Sequence, residues 1–341
     1  MNILLTSVGR RAYMVKYFKE VLGDKGEVHV SNSDDLTVAF RYADKCVITP
    51  LIYSDEYIPF LVDYCKTNKI DVLLSLFDID LLVLAQNKER FAAIGTHVIV
   101  SKPELVEICN DKWKTYLYLK ENGFNVPKTY LTIDTVVQAL KNGDITYPIV
   151  IKPRFGCGSI AISIVNDETE LRFFYNRNYM EIQKSYLKYE SAAVEDQLIF
   201  QECLSGQEFG ADIINDHSGN FRNAIVKRKI AMRSGETDVA ETVDNKVIYD
   251  EVSRLGKLTR HIANMDCDIF LVNDTPYILE MNARFGGGYP FSHMAGCNLP
   301  KAIVSWIDGD EVPDEWLQAE PGFLGFKELV ITEKRNADII Q

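Results

Sequence analysis

The sequence predicts an α/β chain in which an N-terminal parallel sheet wrapped by helices is followed by two units of mixed α+β structure. Three observations carry this expectation. Short apolar runs alternate with helix-period stretches through the first hundred residues. A glycine-bearing turn joins two strand-like runs near residue 155. Residues 268–284 read as a hairpin that collects acids, an amide and a guanidinium at one end.

Taken in order, residues 2–8 read as a buried parallel strand, and Gly9-Arg10-Arg11 turns into a helix whose apolar face is Met14, Val15, Phe18, Val21 and Leu22. Strands follow at 28–31, 46–49, 72–76 and 97–100, with helical patterns between them. This alternation implies a parallel sheet covered on both faces, with its ligand edge at the carboxyl ends of the strands. Arg10, Arg11, Asp78 and Asp80 fall on that edge, where they either meet a small polar substrate or form a helix start and a solvated loop. A dinucleotide fingerprint would need GxGxxG after the first strand, and only Gly9 is present; no GK[ST] P-loop occurs anywhere. Residues 1–110 therefore form a first, Rossmann-like domain.

The pattern changes after Ser101. Asp111 can cap a helix, DKWKTYLYLKENG, that ends at Gly123 with Pro127 close behind. IVIKP at 149–153 reads as a strand, RFGCGS at 154–159 as a flexible turn and IAISIV at 160–165 as the returning strand. Gly156 and Gly158 would let backbone N–H groups close on phosphate oxygens, with Ser159 adding a hydroxyl and Lys152 a charge one strand position away. Many such hairpins are merely turns. Residues 167–189 form a polar, tyrosine-rich helical stretch suited to the outer face of a lid, and LIFQEC at 198–203 leads to a hinge at Gly206. The expected units are thus a lid at 111–205 and a C-terminal subdomain at 206–341. In the latter, Arg222, Lys227, Arg228, Lys229 and Arg233 form a basic cluster that is either a solvated strand edge or a surface for an acidic substrate.

After a helix at about 248–263 comes the hairpin. Apolar and polar residues alternate through 269–272 and 277–279, and the stretch Asn273-Asp274-Thr275-Pro276 between them has turn chemistry, so folding brings Asp268 beside Glu280. Side chains alternate across a strand, which puts Glu280, Asn282 and Arg284 on one face. Two carboxylates and an amide oxygen are hard ligands of the kind Mg2+ takes, with water and phosphate oxygens in its remaining positions. A solvated edge hairpin is the competing reading of the same residues. A glycine-rich loop, FGGGYPFSHMAG, follows.

Composition excludes several function classes. The chain has 341 residues, 47% hydrophobic and 25% charged, with net charge -12, which disfavours nucleic acid and anionic membranes as partners. Apolar stretches such as 71–84 are broken by acids, here Asp78 and Asp80, so no membrane span is expected. Met1 runs straight into a strand without signal-peptide features, and seven cysteines show no CxxC pair; both point to a cytoplasmic protein with buried thiols.

Together, Lys112 in its DK helix start, Lys152 in IKP, the FGCGS loop, QECLSGQE, Asp268 and EMNAR resemble, in this order, the ATP-grasp superfamily, on the branch of carbamoyl-phosphate synthase large-subunit-like proteins and amino-acid ligases. The resemblance implies a Rossmann-like domain followed by a two-subdomain ATP-grasp fold. It implies that Lys112, Lys152, Gly156, Gly158 and Ser159 meet the phosphates of ATP, that Gln201, Glu202 and Leu204 line the adenine slot, and that Glu208 takes the ribose hydroxyls. Either Gln201 or Glu202 would meet the adenine amine. Asp268, Glu280 and Asn282 would hold Mg2+ or Mn2+, and Arg284, with Lys152, would serve catalysis. Arg284 together with the loop at Gly287 would meet a substrate carboxylate, and Arg10 and Arg233 are further substrate candidates. The implied activity is ligation of a small-molecule carboxylate to an amine, amino acids included, through an acylphosphate; a silent ATP-binding regulatory module and a small-molecule kinase are the alternatives. The resemblance also allows a homodimer. One ATP-grasp unit without a second synthetase half argues against carbamoyl phosphate synthesis itself.

Overall fold

The computed structural model describes residues 1–333 except Cys157 and Ser159, together with the backbone of a short strand at 339–340. Its first layer is the parallel sheet: β1 (Ile3–Thr6), helix α1 (Ala12–Leu22), β2 (Val28–Asn32), β3 (Lys45–Ile48), α2 (Tyr57–Thr67), β4 (Val72–Ser75), α3 (Asp78–Gln86), α4 (Lys88–Ala92) and β5 (His97–Ile99). The strand order β3-β2-β1-β4-β5 reverses direction of growth at β1, so the crevice between the β1 and β4 ends is a topological switch point. Both faces of the sheet are buried. Ile3, Leu5, Val28, Val30, Val72 and Leu74 face α1, while Leu4, Val47, Leu73 and Val98 face α2 and α3.

Helices α5 (Pro103–Asn110) and α6 (Lys112–Glu121) lead to a four-stranded antiparallel sheet made of β6 (Thr129–Tyr130), β7 (Ile149–Pro153), β8 (Ser163–Val165) and β9 (Leu198–Glu202), ordered β6-β9-β7-β8. Its helices are α7 (Ile133–Asn142), α8 (Glu168–Lys184) and the short α9 (Leu187–Glu190). On β7, Ile149 and Ile151 enter this layer's own core, and the alternate residues Val150 and Lys152 face a cavity. The returning strand is shorter than the expected 160–165. Ala161 takes a left-handed φ of 51°, so the turn runs on to Ile162 before pairing begins.

The third sheet is antiparallel, ordered β14-β13-β10-β11-β12-β15, from β10 (Gln207–Asn215), β11 (Phe221–Arg233), β12 (Glu236–Thr242), α10 (Lys246–Thr259), β13 (Ala263–Val272) and β14 (Thr275–Asn282). Helices α11 (Tyr289–Met294) and α12 (Leu299–Asp308) precede β15 (Leu324–Phe326), and β16 (Ile339–Ile340) returns to pair in parallel with β3. Ala211, Ile213, Val226, Met265, Cys267, Ile269 and Met281 bury one face of the sheet against α10, and the alternate residues line a cleft.

Packed cores draw the domain lines differently from the expected boundaries. Leu119 and Phe124, expected in the lid, are buried with the third sheet. Tyr289, Leu299, Ile303 and Trp306, expected in the C-terminal subdomain, are buried with β1, β2 and α1. Both differences come from contacts remote in sequence, which no local pattern encodes. Cys46, Cys65, Cys109, Cys267 and Cys297 are buried as small core side chains. No helix of the described residues is long and apolar enough to cross a membrane.

Candidate active site

The β13–β14 hairpin has Asn273 and Asp274 in its two-residue turn, both with positive φ of 47° and 58°, the conformation that matches the twist of the flanking strands. Pro276 is tolerated because β14 is an edge strand. The register sets Asp268 opposite Glu280 and Asp266 opposite Asn282, so four polar side chains share one face. Across the sheet Gly210 lies opposite Asp268 and Lys227. A Cβ at Gly210 would come within 3.2 Å of the Lys229 side chain, so its absence lets that lysine lie across the sheet.

Two cavities meet on this face. The first, about 440 Å3, lies between the four-stranded sheet and the third sheet and is lined by Lys112, Lys152, Gly156, Gly158, Gln201, Glu202, Leu204, Glu208 and the apolar Ile162, Ile164 and Phe270. The second, about 360 Å3, lies under the switch point and is lined by residues 7–11, Phe77, Lys227, Asp266, Asn282, Arg284, Gly287 and Gly288. Lys229, Asp268, Glu280, Gly158 and the Ser234-Gly235 turn line both. The carboxylates therefore stand at the junction.

The charges at the junction are interlocked. Burial raises the Glu280 pKa, but Lys112, at 3.8 Å, and Lys152 outweigh it and hold the carboxyl at about 2. Burial pushes Asp268 upward, opposed by the Lys229 ammonium that donates to it and, at 2.8 Å, to Glu208. Lys152 is 5% exposed, its ammonium makes no hydrogen bond among the described residues, and burial pushes it down to about 8 against the pull of Glu280. A buried ammonium facing a cavity without a bonded partner is suited to an anion. Asn282 donates to Glu280 at 3.4 Å and lines the second cavity.

Among the described residues no group of three or more His, Cys, Asp or Glu is placed to hold a metal by itself. Two facing carboxylates and one amide oxygen nevertheless fit Mg2+ or Mn2+, provided water and a second ligand supply the other positions.

Lys112 opens α6 and donates to the Gly156 carbonyl. Its place is fixed by Asp111, whose carboxylate caps the helix through Trp113 N–H at 3.0 Å and takes two bonds from Arg154 at 2.8 and 2.7 Å. Removing that carboxylate strands a largely buried guanidinium, so Asp111→Ala should cost about 3 kcal/mol of stability. Urea unfolding checks this.

Not every expected residue lies where the sequence suggests. Arg284 is buried and held by Asp78 of the N-terminal domain, at 2.7 and 3.1 Å, and by Asp266 at 3.3 Å, on the wall of the second cavity. The Gln201 amide donates to Thr129 at 3.0 Å, and the Glu202 carboxylate accepts from Lys128 N–H at 3.1 Å, so both side chains are engaged, while residues 201–204 line the first cavity. Arg10 and Gly287 line the second cavity. Arg233 does not. It pairs with Asp238 and donates to the Lys327 carbonyl, while its neighbours Met232 and Ser234 line both cavities. Irregularities in the β11–β12 register near Ala231 break the alternation that would have aimed it inward. Arg222 and Arg228 likewise pair outside, with Asp314 and Glu241. Ser159 lies outside the described residues.

Asp266 and the buried Asp212 and Ser292 join the site without having been expected in it, while Asp78, Lys227 and Lys229, for which a solvated position was the alternative, lie at it. The spacing of Asp266 from Asp268, and of Lys227 from Lys229, is the two-residue strand period and could have marked them.

Residues 109–288 match the family described as ATP-grasp domain, and residues 3–99 match PylC-like, N-terminal domain. The carbamoyl phosphate synthase large chain of Bifidobacterium animalis is 23% identical over 92% of this chain and 28% of its own length. The chain spans 20% to 28% of the first such relatives. Among solved structures, L-amino acid ligase from Bacillus licheniformis superposes with a TM-score of 0.68 at 19% identity, covering 94% of this chain and 78% of that one. The biotin carboxylase domain of Hydrogenobacter thermophilus 2-oxoglutarate carboxylase, determined as a dimer with MgADP, ADP and bicarbonate, gives 0.70 at 17% identity over 91% and 70% of the two chains.

Proposed function

The chain belongs to the ATP-grasp family, whose domain it matches over more than half of its length, and from that premise we propose that it is an ATP-dependent ligase joining a small carboxylate to an amine. The observation that carries this reading is the junction: two cavities, one fit for a nucleotide and one for a polar acceptor, open onto the same pair of carboxylates. In this reading the adenine lies between Ile162, Ile164 and Phe270 against the backbone of 202–204, and Glu208 takes the ribose hydroxyls. Lys112 and Lys152 draw the phosphates toward the junction. Asp268, Glu280 and Asn282 hold the divalent ion.

Bound there, Mg2+ would neutralise phosphate charge as phosphoryl transfer proceeds. The second cavity presents Arg284 and the glycine loop to a carboxylate. One carboxylate oxygen bonds to the γ-phosphorus as the bond to the β-bridging oxygen breaks, releasing ADP. The amine nitrogen then bonds to the acyl carbon, phosphate leaves, and the nitrogen gives up a proton. Lys152 and Arg284 stabilise charge on the transferring group, while the lid keeps water from the acylphosphate.

A panel of amino acids, dipeptides and dicarboxylates tested for ATP-dependent phosphate release, with products identified by mass, tests this. The expected result is ADP formation that needs a carboxylate and yields an amide, with hydroxylamine trapping the intermediate as a hydroxamate. A stable phosphate ester would make the protein a kinase. Nucleotide binding without turnover across the panel would make it a silent module.

A further inference from the structure

The lid has its own core, built from Val136, Ile149, Ile151, Leu171, Ile182 and their neighbours, and among the described residues all of its members fall between Tyr130 and Phe200. Among the described residues, Tyr186, Tyr189 and Glu190 make its side-chain contacts with Phe77 and Tyr53 of the N-terminal domain. Tyr186 lines the second cavity and meets the Phe77 ring edge to face at 5.8 Å. Leu187 lines the first cavity and fills the space beside Gly156 so closely that a Cβ there would stand 2.1 Å from its methyl carbon. Tyr189 pairs with the Tyr53 ring at 4.7 Å, and the Tyr53 hydroxyl donates to Glu190 at 2.9 Å.

Tyr53 lies between β3 and α2 and Phe77 follows β4, so both belong to the N-terminal domain, and neither lines the first cavity. Tyr53 and Tyr189 are 42% and 48% exposed. Two rings left that open make a surface clasp that can part and re-form, unlike a core contact. The strip they hold carries Leu187, whose methyl group packs against Gly156 at the start of the glycine loop.

We propose that Tyr53 and Phe77 are positioning residues that clasp strip 186–190 shut, and that through Leu187 they hold the glycine loop over the nucleotide, so nucleotide retention is set from the N-terminal domain. This rests on the nucleotide reading of the first cavity. Neither residue touches nucleotide. Their effect is on the rate at which it escapes.

Stopped-flow dissociation of a fluorescent ADP analogue from the full chain with Mg2+, chased with unlabelled ADP, reads this directly. One hydrogen bond and two aromatic pairs each shift an equilibrium several-fold, so the Tyr53→Ala, Phe77→Ala double variant should release the analogue about tenfold faster than wild type. Tyr53→Phe, which keeps the ring pair and loses only the bond to Glu190, should fall between, at about two- to threefold. The thermal midpoint of the nucleotide-free protein should not move for Tyr53→Phe, which separates a clasp from a general loss of stability. Rates within twofold of wild type in the double variant, with nucleotide bound normally, would overturn the clasp and leave the nucleotide site standing. Absence of Mg2+-dependent binding in the wild type would overturn both.

Discussion

Glu280→Gln is expected to lower turnover about a thousandfold or more, equivalent to roughly 4 kcal/mol of transition-state stabilisation, while leaving the fold intact. Glu280 is the one carboxylate shared by both cavities whose charge is secured by two lysines, and with its pKa at about 2 it is ionised throughout the physiological range. The amide keeps the shape and the hydrogen bond to Asn282 but removes the charge that balances the ion and orients Lys112. Circular dichroism should be unchanged, and the Mg2+ concentration needed for nucleotide binding should rise at least about tenfold. Wild-type turnover in this variant would remove Glu280 from the metal site.

Lys152→Met should weaken ATP binding by about a hundredfold, because it deletes a buried cation facing the phosphates without leaving a void. A second signature accompanies this. Burial pushes the Lys152 ammonium down to about 8, and phosphate oxygens beside it would raise it again. Between about pH 8 and the ordinary lysine value of 10.5 the free protein is partly deprotonated there, so nucleotide binding takes up a fraction of a proton. Affinity should fall as pH rises through 8, and calorimetry in buffers of different ionisation enthalpy should show the uptake in wild type and not in Lys152→Met. For the nucleotide-free protein the sign is opposite. The unfolded chain holds the proton more tightly, so stability rises with pH across the same window.

The hairpin was legible in the sequence because its information is local: period-two alternation places Glu280 and Asn282 on one face, and Asn273-Asp274 fixes the turn that returns Asp268. The parallel sheet was legible for the same reason, through apolar runs buried on both faces. Asp78 was legible as a residue of the ligand edge, but its partner was not, because that depends on α3 meeting Arg284 from 206 positions away. For Lys229 the sequence left both a solvated edge and a substrate surface open, because whether it faces the cavity depends on how β11 registers against β10 and on what surrounds both. Arg233 misled because a register irregularity is invisible in a run of alternating basic and apolar residues. Helix α12 shows the right amphipathic pattern, but nothing within it says that its partner is α1 and not the sheet that precedes it.

Crystals grown with a non-hydrolysable ATP analogue and Mn2+ offer the most direct measurement, since the anomalous signal of manganese locates the ion independently of the protein density. A peak about 2.1 Å from carboxylate oxygens of Asp268 and Glu280, with the adenine in the cavity lined by Ile162 and Ile164, is the expected result. A peak away from both carboxylates, or a nucleotide seated beneath the ends of β1 and β4, would contradict it.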